Sequence, residues 1–275
     1  MKPLTIGYSP CPNDTFIFFA MSQKLISNLP PCQEILKDIE SLNNMAFEHN
    51  LDLTKISFHA LGHLRDSYAL LDAGGALGRG CGPIVVSKEP LTTNGLAGKK
   101  IALPGRFTTA ALLLRLFNPN LEQLVYLPFN EILPACNEGI VDAGVIIHES
   151  RFTFQGYGLI KIIDLGEWWE NETGLPIPLG GILAKRNLGK RYHAQLNKLI
   201  QNSIEYAYAH PAEVRPYIKR YAQEMDEAVM YQHINLYVNE YSIQYGEEGK
   251  RAINELISRA EMTGIIPKSE QPLFL

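Results

Sequence analysis

The sequence predicts an α/β fold of two lobes, with mixed sheets and a central ligand cleft. Apolar strand patterns alternate with helical patterns along the first half of the chain, which is typical of α/β proteins. A strand, a tight turn and a helix near residue 100 repeat the order found at the start, so two such units are expected. The last part of the chain has helical patterns only, and its apolar faces need a sheet to pack against. Because ligand pockets form preferentially at domain interfaces, we expect the cleft between the two units.

The first unit opens with residues 4–18, which predict a buried strand, a turn stiffened by two prolines, and a helix. The helix is expected to begin near Thr15, with Asn13 or Asp14 as its cap. Its N-terminus would face the carboxyl end of the strand, the edge at which open α/β sheets bind ligands. The turn is therefore a candidate wall of the cleft.

The rest of the first unit continues the alternation. Residues 34–47 have a helical pattern, residues 53–60 alternate as a strand, and residues 61–71 are helical before a pair of glycines. A glycine-rich turn at 78–83 then leads into an apolar strand at 84–87. This β-α-β-α order predicts a sheet covered by helices.

The second unit begins at 96–105 with a strand and a tight turn. Its remaining elements are a helix from Thr108, a short strand at 125–128, a helix at 132–138 and an apolar strand at 141–147 that ends at His148. Residues 166–179 contain two tryptophans and two prolines and are predicted to form a loop, before a last strand at 180–185. Strands separated by helices indicate a second, mainly parallel sheet.

The order of these units predicts that one lobe interrupts the other. The first lobe takes residues 1–88 and 178–275, and residues 89–177 form the inserted second lobe. The loops at 87–91 and 174–178 are expected to act as hinges. A ligand bound between the lobes would then be enclosed when they close.

Charge and composition narrow the classes of function. The chain has 275 residues, a net charge of −4 and a pI near 6.0, so no basic field for nucleic acid or an anionic membrane is expected. It has no apolar run long enough to span a bilayer, and no apolar signal segment precedes the first strand pattern, so a cytoplasmic location is expected. The 4 cysteines lack zinc-site spacing and are predicted to be free thiols, with a thiolate nucleophile at Cys11 as the less favoured alternative.

His148 is the histidine best placed for chemistry. It follows an apolar strand at the edge facing the cleft, where an imidazole can act as a general base, although a structural cap of the strand is weighted equally. His59 and His63 are four apart but are predicted to lie on different elements, so no metal site is expected. Solvated or structural roles are assigned to His49, His193, His210 and His233.

Two short segments suit an anionic ligand. Lys55 and Ser57 alternate with apolar neighbours and share one face of a strand, which is either a ligand site or a solvent face. Thr108 is a natural N-cap, which leaves the amides of Thr109 and Ala110 free to cradle a carboxylate or phosphate. Every helix N-terminus has free amides of this kind, so the pattern is not specific to an anion site. No phosphate-loop or dinucleotide fingerprint occurs, and no cofactor is predicted.

Several longer stretches resemble one known family. They are residues 9–16, 77–83, 104–110, 146–153, 179–184 and 237–239. Together they resemble the 1,4-dihydroxy-6-naphthoate synthase family of menaquinone biosynthesis, over nearly the whole chain. The resemblance implies a two-lobe, periplasmic-binding-protein-like fold of type II. It also implies a cofactor-independent lyase of the futalosine pathway that converts cyclic dehypoxanthinylfutalosine to 1,4-dihydroxy-6-naphthoate and dihydroxyacetone.

The resemblance also implies roles for residues considered above. In this family the histidine that matches His148 is the proton acceptor, and the substrate is bound by a segment on each lobe. The substrate-binding residues expected here are Lys55, Ile56, Ser57, Thr108, Thr109 and Ala110.

Two alternative functions stay open beside this one. A small-anion-binding protein, cytoplasmic or exported, would share the implied fold, since fold alone does not settle function. A sibling enzyme of the same pathway, chorismate dehydratase, is the other alternative. The expected partner is a small-molecule carboxylate substrate, with no nucleic acid and no membrane. The sequence leaves the oligomeric state open, a homodimer included.

Overall fold

A computed structural model describes residues 3–222 and 226–275. Strands and helices are both present as far as residue 185, and helices follow. The strands are β1 (Leu4–Tyr8), β2 (Cys32–Leu36), β3 (Leu53–Ser57), β4 (Tyr68–Leu70), β5 (Ala76–Gly78), β6 (Ile84–Ser87), β7 (Ile101–Leu103), β8 (Leu124–Tyr126), β9 (Ala143–Ile146), β10 (Ile160–Asp164) and β11 (Ile177–Lys185). The helices are α1 (Pro12–Ser22), α2 (Ile39–Phe47), α3 (Phe58–Leu64), α4 (Thr109–Phe117), α5 (Phe129–Asn137), α6 (Ser150–Thr153), α7 (Leu165–Thr173), α8 (Lys190–Ala209), α9 (Pro211–Tyr221), α10 (Glu227–Tyr237), α11 (Glu240–Ile243) and α12 (Gly246–Met262).

The strands form two mixed sheets, as the fold class predicts, but the expectation that the second sheet is mainly parallel was wrong, because β6 pairs antiparallel with both of its neighbours. In the first sheet the order is β2-β1-β3-β11-β4, and β5 also pairs with β11. Here β1 runs parallel to β2 and β3, whereas β11 is antiparallel to β3. In the second sheet the order is β10-β6-β9-β7-β8, with β7 parallel to β8 and β9, and β6 antiparallel to β9 and β10. The α/β class is confirmed.

The position of β6 corrects the predicted lobe boundary. This strand was expected in the first lobe, but it lies between β9 and β10 in the second sheet. The chain therefore leaves the first sheet at residues 79–83, and the predicted hinge at 87–91 lies within the second lobe. The sequence pattern could not show this, because a short apolar strand fits the interior of either sheet. The chain returns to the first sheet through residues 174–176, between α7 and β11, close to the other predicted hinge.

Three predicted elements were wrong. Residues 34–36 belong to strand β2, whose exposed edge position explains its polar, helix-like pattern. Residues 68–70 form β4 rather than the end of a helix. The expected loop at 166–179 contains helix α7 and the start of β11.

Helix α7 is stabilised by contacts that the loop prediction missed. The carboxylate of Asp164 accepts hydrogen bonds from the amides of Gly166 at 2.8 Å and Glu167 at 3.2 Å, which caps the helix. Trp169 is fully buried, and its indole N–H donates to the Pro176 carbonyl at 3.1 Å. Capping and a buried anchor outweigh the turn-like composition of the segment.

The two lobes share one hydrophobic core. Helix α4 of the second lobe packs against α3 and α12 of the first. The shared cluster includes Phe58 and Leu61 from α3, Leu113 from α4, and Leu256 from α12. A second cluster joins α1 to α8 and α9, which cover the first sheet. These contacts hold the two lobes together through α3, α4 and α12.

Candidate active site

The cleft contains two adjoining spaces, which we call the inner cavity and the outer chamber. The inner cavity has a volume of about 90 Å³ and the outer chamber about 620 Å³. His148 and Ile39 line both. The predicted site residues that line the inner cavity are Lys55, Ser57, Thr108, Thr109, Ala110 and His148. Ile56 is not among them, because alternation along β3 directs its side chain into the shared core.

His148 lies between the lobes, where β9 ends. Its backbone φ is +56°, a left-handed conformation that is uncommon for a residue with a side chain and that recurs at functional sites. The ring meets Phe129 edge-on at 5.2 Å on its own lobe. On the other side it stacks on His233 of α10, in the first lobe, with ring centroids 6.0 Å apart and planes 8° from parallel. Both lobes therefore position this imidazole.

The surroundings of His148 favour its neutral form. Burial lowers the pKa of the imidazole below its usual value, and the Lys55 ammonium acts in the same direction. The carboxylates of Glu149, Asp14 and Asp38 oppose this, but the pKa remains lowered. A neutral imidazole at the cleft has a free lone pair near physiological pH, which is what a general base requires.

Lys55 forms a buried ion pair with Asp14 in the wall of the inner cavity. The two charged atoms are 3.1 Å apart, and the side chains are only 3% and 2% exposed. The ammonium also donates to the Gly74 carbonyl at 2.8 Å. Asp14 accepts hydrogen bonds from the amide and hydroxyl of Ser9, at 3.1 and 2.7 Å. Much of the positive charge predicted to serve an anionic ligand is therefore matched within the protein.

The same contacts correct the predicted cap of α1. This helix begins at Pro12, with Cys11 in the N-cap position, rather than near Thr15. Asp14 lies within the helix and reaches back to Ser9 and across to Lys55, so it joins β1 to β3. The opening motif thus builds the cleft wall through a buried charge instead of a cap.

A chain of polar contacts connects this ion pair to His233. The Asn13 side-chain amide donates to Asp14 at 2.9 Å, and its oxygen is 3.1 Å from His233 Nε2. Burial and the nearby His148 hold the pKa of His233 well below its usual value, so the ring is neutral. His233, expected to have a solvated or structural role, instead lines the inner cavity. The nearest indication in the sequence was the segment 237–239, which resembles the family and begins one helical turn after His233.

The N-terminus of α4 has the predicted form. Thr108 caps the helix by accepting a hydrogen bond from the Ala111 amide at 3.2 Å, which confirms its role as N-cap. The hydroxyl of Thr109 accepts from the Phe58 amide at 3.0 Å and donates to the Leu179 carbonyl at 2.5 Å. That hydroxyl thus joins the two lobes, while the first-turn amides of Thr109 and Ala110 have no helical carbonyl to bind.

A second contact between the lobes lies at the outer chamber. The carboxylate of Glu40, on α2, accepts from the amides of Arg106 at 2.7 Å and Phe107 at 3.1 Å on the opposite lobe. Gly105 makes this approach possible, because a Cβ there would lie 2.5 Å from the Glu40 carboxyl carbon. Glu149 also lines the chamber, and its Oε2 atom has no hydrogen-bond partner within the described residues.

Two sequence-based interpretations concern groups around the cleft. Cys11 lines the outer chamber, where burial and then Glu149 raise the pKa of its thiol, which argues against a thiolate nucleophile. His59 and His63 lie on one helix, α3, so the expectation that they occupy different elements was wrong. Burial lowers the pKa of His59 to about 4.

Residues 3–222 and 226–275 contain no cluster of three or more His, Cys, Asp or Glu side chains arranged to hold a metal ion. Within the same ranges, no helix combines the length and apolar character needed to cross a membrane.

Comparisons with known proteins give a consistent result. Residues 4–262 match the model of a family described as menaquinone biosynthesis. A protein from Thermus thermophilus named 1,4-dihydroxy-6-naphtoate synthase is 46% identical over 275 residues, covering 100% of both chains. A protein of the same name from Streptomyces coelicolor is 46% identical over 269 residues, covering 96% of this chain and 95% of its own.

Solved structures agree on the fold. A crystal structure of an Archaeoglobus fulgidus protein has a TM-score of 0.90 and 35% identity, covering 96% of this chain and 98% of its own. An alkanesulfonate-binding protein from Xanthomonas axonopodis pv. citri has a TM-score of 0.70 at 15% identity, covering 98% and 95%. A periplasmic aliphatic sulphonate-binding protein from Escherichia coli has a TM-score of 0.66 at 15% identity, covering 98% and 89%. The fold is that of the periplasmic binding proteins.

Proposed function

This chain belongs to the menaquinone-biosynthesis family, and we propose that it releases 1,4-dihydroxy-6-naphthoate from cyclic dehypoxanthinylfutalosine, with His148 as the general base. The position of His148 carries the proposal. Its imidazole lies where the inner cavity meets the outer chamber, and its pKa is lowered by burial. The names of the two curated relatives supply the product.

The proposed reaction needs a base and an enclosed site. His148 takes a proton from the substrate, a carbon–carbon bond breaks, and its electron pair enters the new aromatic ring. The proton comes from a hydroxyl of the three-carbon fragment, which departs as neutral dihydroxyacetone with that oxygen as its carbonyl. His148 then returns the proton to the ring oxygen that takes up the electron pair, so atoms and electrons balance without an oxidant. A positioned base typically contributes a factor of about 10²–10⁴. Aromatisation of the ring makes release of the product favourable.

The helix N-terminus is the better site for the substrate carboxylate. The amides of Thr109 and Ala110 and the positive end of the α4 dipole are available to an anion. Ser57 can add a hydroxyl hydrogen, because its oxygen already accepts from the Asn43 side chain at 3.3 Å. Lys55 is less suited, since Asp14 matches its charge. We therefore assign Lys55 to the cavity wall and the carboxylate to α4.

Incubation of the purified protein with cyclic dehypoxanthinylfutalosine, followed by mass spectrometry, tests the reaction. The naphthoate product should form with the native protein, and chorismate offered in parallel should stay unchanged. The His148→Asn variant should bind the naphthoate but lose at least about a hundredfold in kcat. Turnover of chorismate alone would assign the protein to the sibling reaction. Ligand binding without any turnover by the native protein would instead indicate a receptor.

A further inference from the structure

His233 has one ring nitrogen committed to the protein and one without a partner. Nε2 lies 3.1 Å from the Asn13 side-chain oxygen. Nδ1 is buried and has no hydrogen-bond partner within residues 3–222 and 226–275. The residue is 0% exposed, and it lines the inner cavity. An acceptor buried without a partner is unfavourable, and because His233 lines the inner cavity, a ligand bound there can supply the missing donor.

The polar contacts in the cavity wall determine which nitrogen carries the hydrogen. The Asn13 amide nitrogen donates to the Asp14 carboxylate, which can only accept from it. The Asn13 oxygen must then face His233 Nε2, and it can only accept. Because the ring is neutral, Nε2 carries the hydrogen and Nδ1 presents a lone pair. The ion pair of Asp14 with Lys55 fixes the start of this chain.

We propose that His233 Nδ1 accepts a hydrogen bond from a ring hydroxyl of the bound dihydroxynaphthoate and so makes the site specific for a hydroxylated ring. This inference rests on the proposed function, since the proposed product has two ring hydroxyls that can donate. The carboxylate binds on α4 of the second lobe, and His233 belongs to α10 of the first, so the ligand is held from both lobes. The stack of His233 on His148 places the bound hydroxyl beside the base.

Binding of matched ligands to matched variants tests the hydrogen bond. The ligands are 1,4-dihydroxy-6-naphthoate and analogues that lack one or both hydroxyls, measured by calorimetry under anaerobic, reducing conditions. In the native protein, loss of the relevant hydroxyl should weaken binding about tenfold. His233→Phe keeps an aromatic face against His148 but has no acceptor. It should weaken binding of the dihydroxy ligand about tenfold and leave the affinity for the unhydroxylated ligand unchanged.

His193→Phe is a matched control. His193 is also buried, also bonds through Nε2, to the Lys185 carbonyl at 2.9 Å, and also has an unpartnered Nδ1 within the described residues, but it does not line the inner cavity. Its replacement should leave the preference for hydroxylated ligands unchanged. An equal dependence on the hydroxyls in the native protein and in His233→Phe would overturn the inference.

A measurement on the native protein covers the case in which His233→Phe does not fold. With nitrogen-15-labelled histidine, the Nδ1 resonance of His233 should move when the dihydroxy ligand saturates the site, and should move less with the unhydroxylated analogue. Identical positions with both ligands would refute the hydrogen bond. The turnover assay on the same preparation separates the two proposals. Turnover without hydroxyl dependence refutes only this inference, whereas absence of turnover refutes the proposed reaction.

Discussion

Removal of one partner of the Asp14–Lys55 ion pair should strongly destabilise the protein. Asp14→Asn leaves the shape of the site unchanged but leaves a buried ammonium without its counter-charge. Breaking a buried pair in this way typically costs about 3–5 kcal/mol. Domains are stable by roughly 5–15 kcal/mol, so the loss is a large share of the total. With a urea m-value of about 3 kcal/mol/M, the unfolding midpoint should fall by about 1–2 M.

A double-mutant cycle with Lys55→Met tests the cause. Asp14→Asn and Lys55→Met should each destabilise, but the double variant contains no buried charge at this site and should recover at least half of the larger single loss. The free energy of unfolding is measured by urea titration followed by circular dichroism. A double variant that loses the sum of the two single effects would refute the coupling.

The same variants distinguish a structural role for Lys55 from direct contact with the substrate. If Lys55 acts through Asp14 and Asn13, either single substitution should raise KM, because both disturb the chain that ends at His233. If Lys55 bound the substrate carboxylate directly, Lys55→Met would raise KM and Asp14→Asn would not. We expect the first result, in steady-state assays with each folded variant.

Three further predictions concern the base, the glycine at the chamber and the lobes. Burial in the enclosed site lowers the pKa of His148 against the opposing charges of Glu149, Asp14 and Asp38, so the acid limb of kcat, which reports the enzyme–substrate complex, should lie below the usual histidine pKa of about 6.5; an acid limb at or above that value would contradict this. Gly105→Ala should destabilise the protein by more than the roughly 1–3 kcal/mol that backbone strain alone costs, because φ is +149° and the new Cβ displaces Glu40. Gly98→Ala, at φ +72° with open space around it, is the control. Equal losses of stability in the two variants would show that the Glu40 contact contributes nothing. Small-angle scattering should show a smaller radius of gyration with bound naphthoate than without it, and superimposable curves would count against lobe closure.

The sequence was sufficient for the parts of the fold that depend on local patterns. Strand β9, the N-cap at Thr108 and the shared face of Lys55 and Ser57 follow from periodicity and capping chemistry. It failed where tertiary contacts decide. Strand β2 looks helical because it lies at an exposed edge, and β6 fits either sheet until its partners are known.

The missed part of the site has the same origin. His233 is separated from Asn13 by 220 residues, and no local pattern signals that their side chains meet. Asp14 was expected to serve the nearest helix terminus, which is the usual role of aspartate in such a position. Its actual partner, Lys55, belongs to β3, which lies beside β1 in the first sheet. Long-range pairing of polar groups depends on how the lobes are assembled, and that information is distributed over the whole chain.

The assembly of the lobes also bears on the state of the base. His148 belongs to the second lobe, but His233, Asp14 and Lys55, which surround it, belong to the first. Burial is the main cause of its lowered pKa, and part of that burial comes from the first lobe across the cleft. If the lobes separate as predicted, water reaches the ring and its pKa returns toward the usual value. Closure would then favour the neutral base at the stage when the substrate is enclosed, and opening would favour its protonated form when the product leaves.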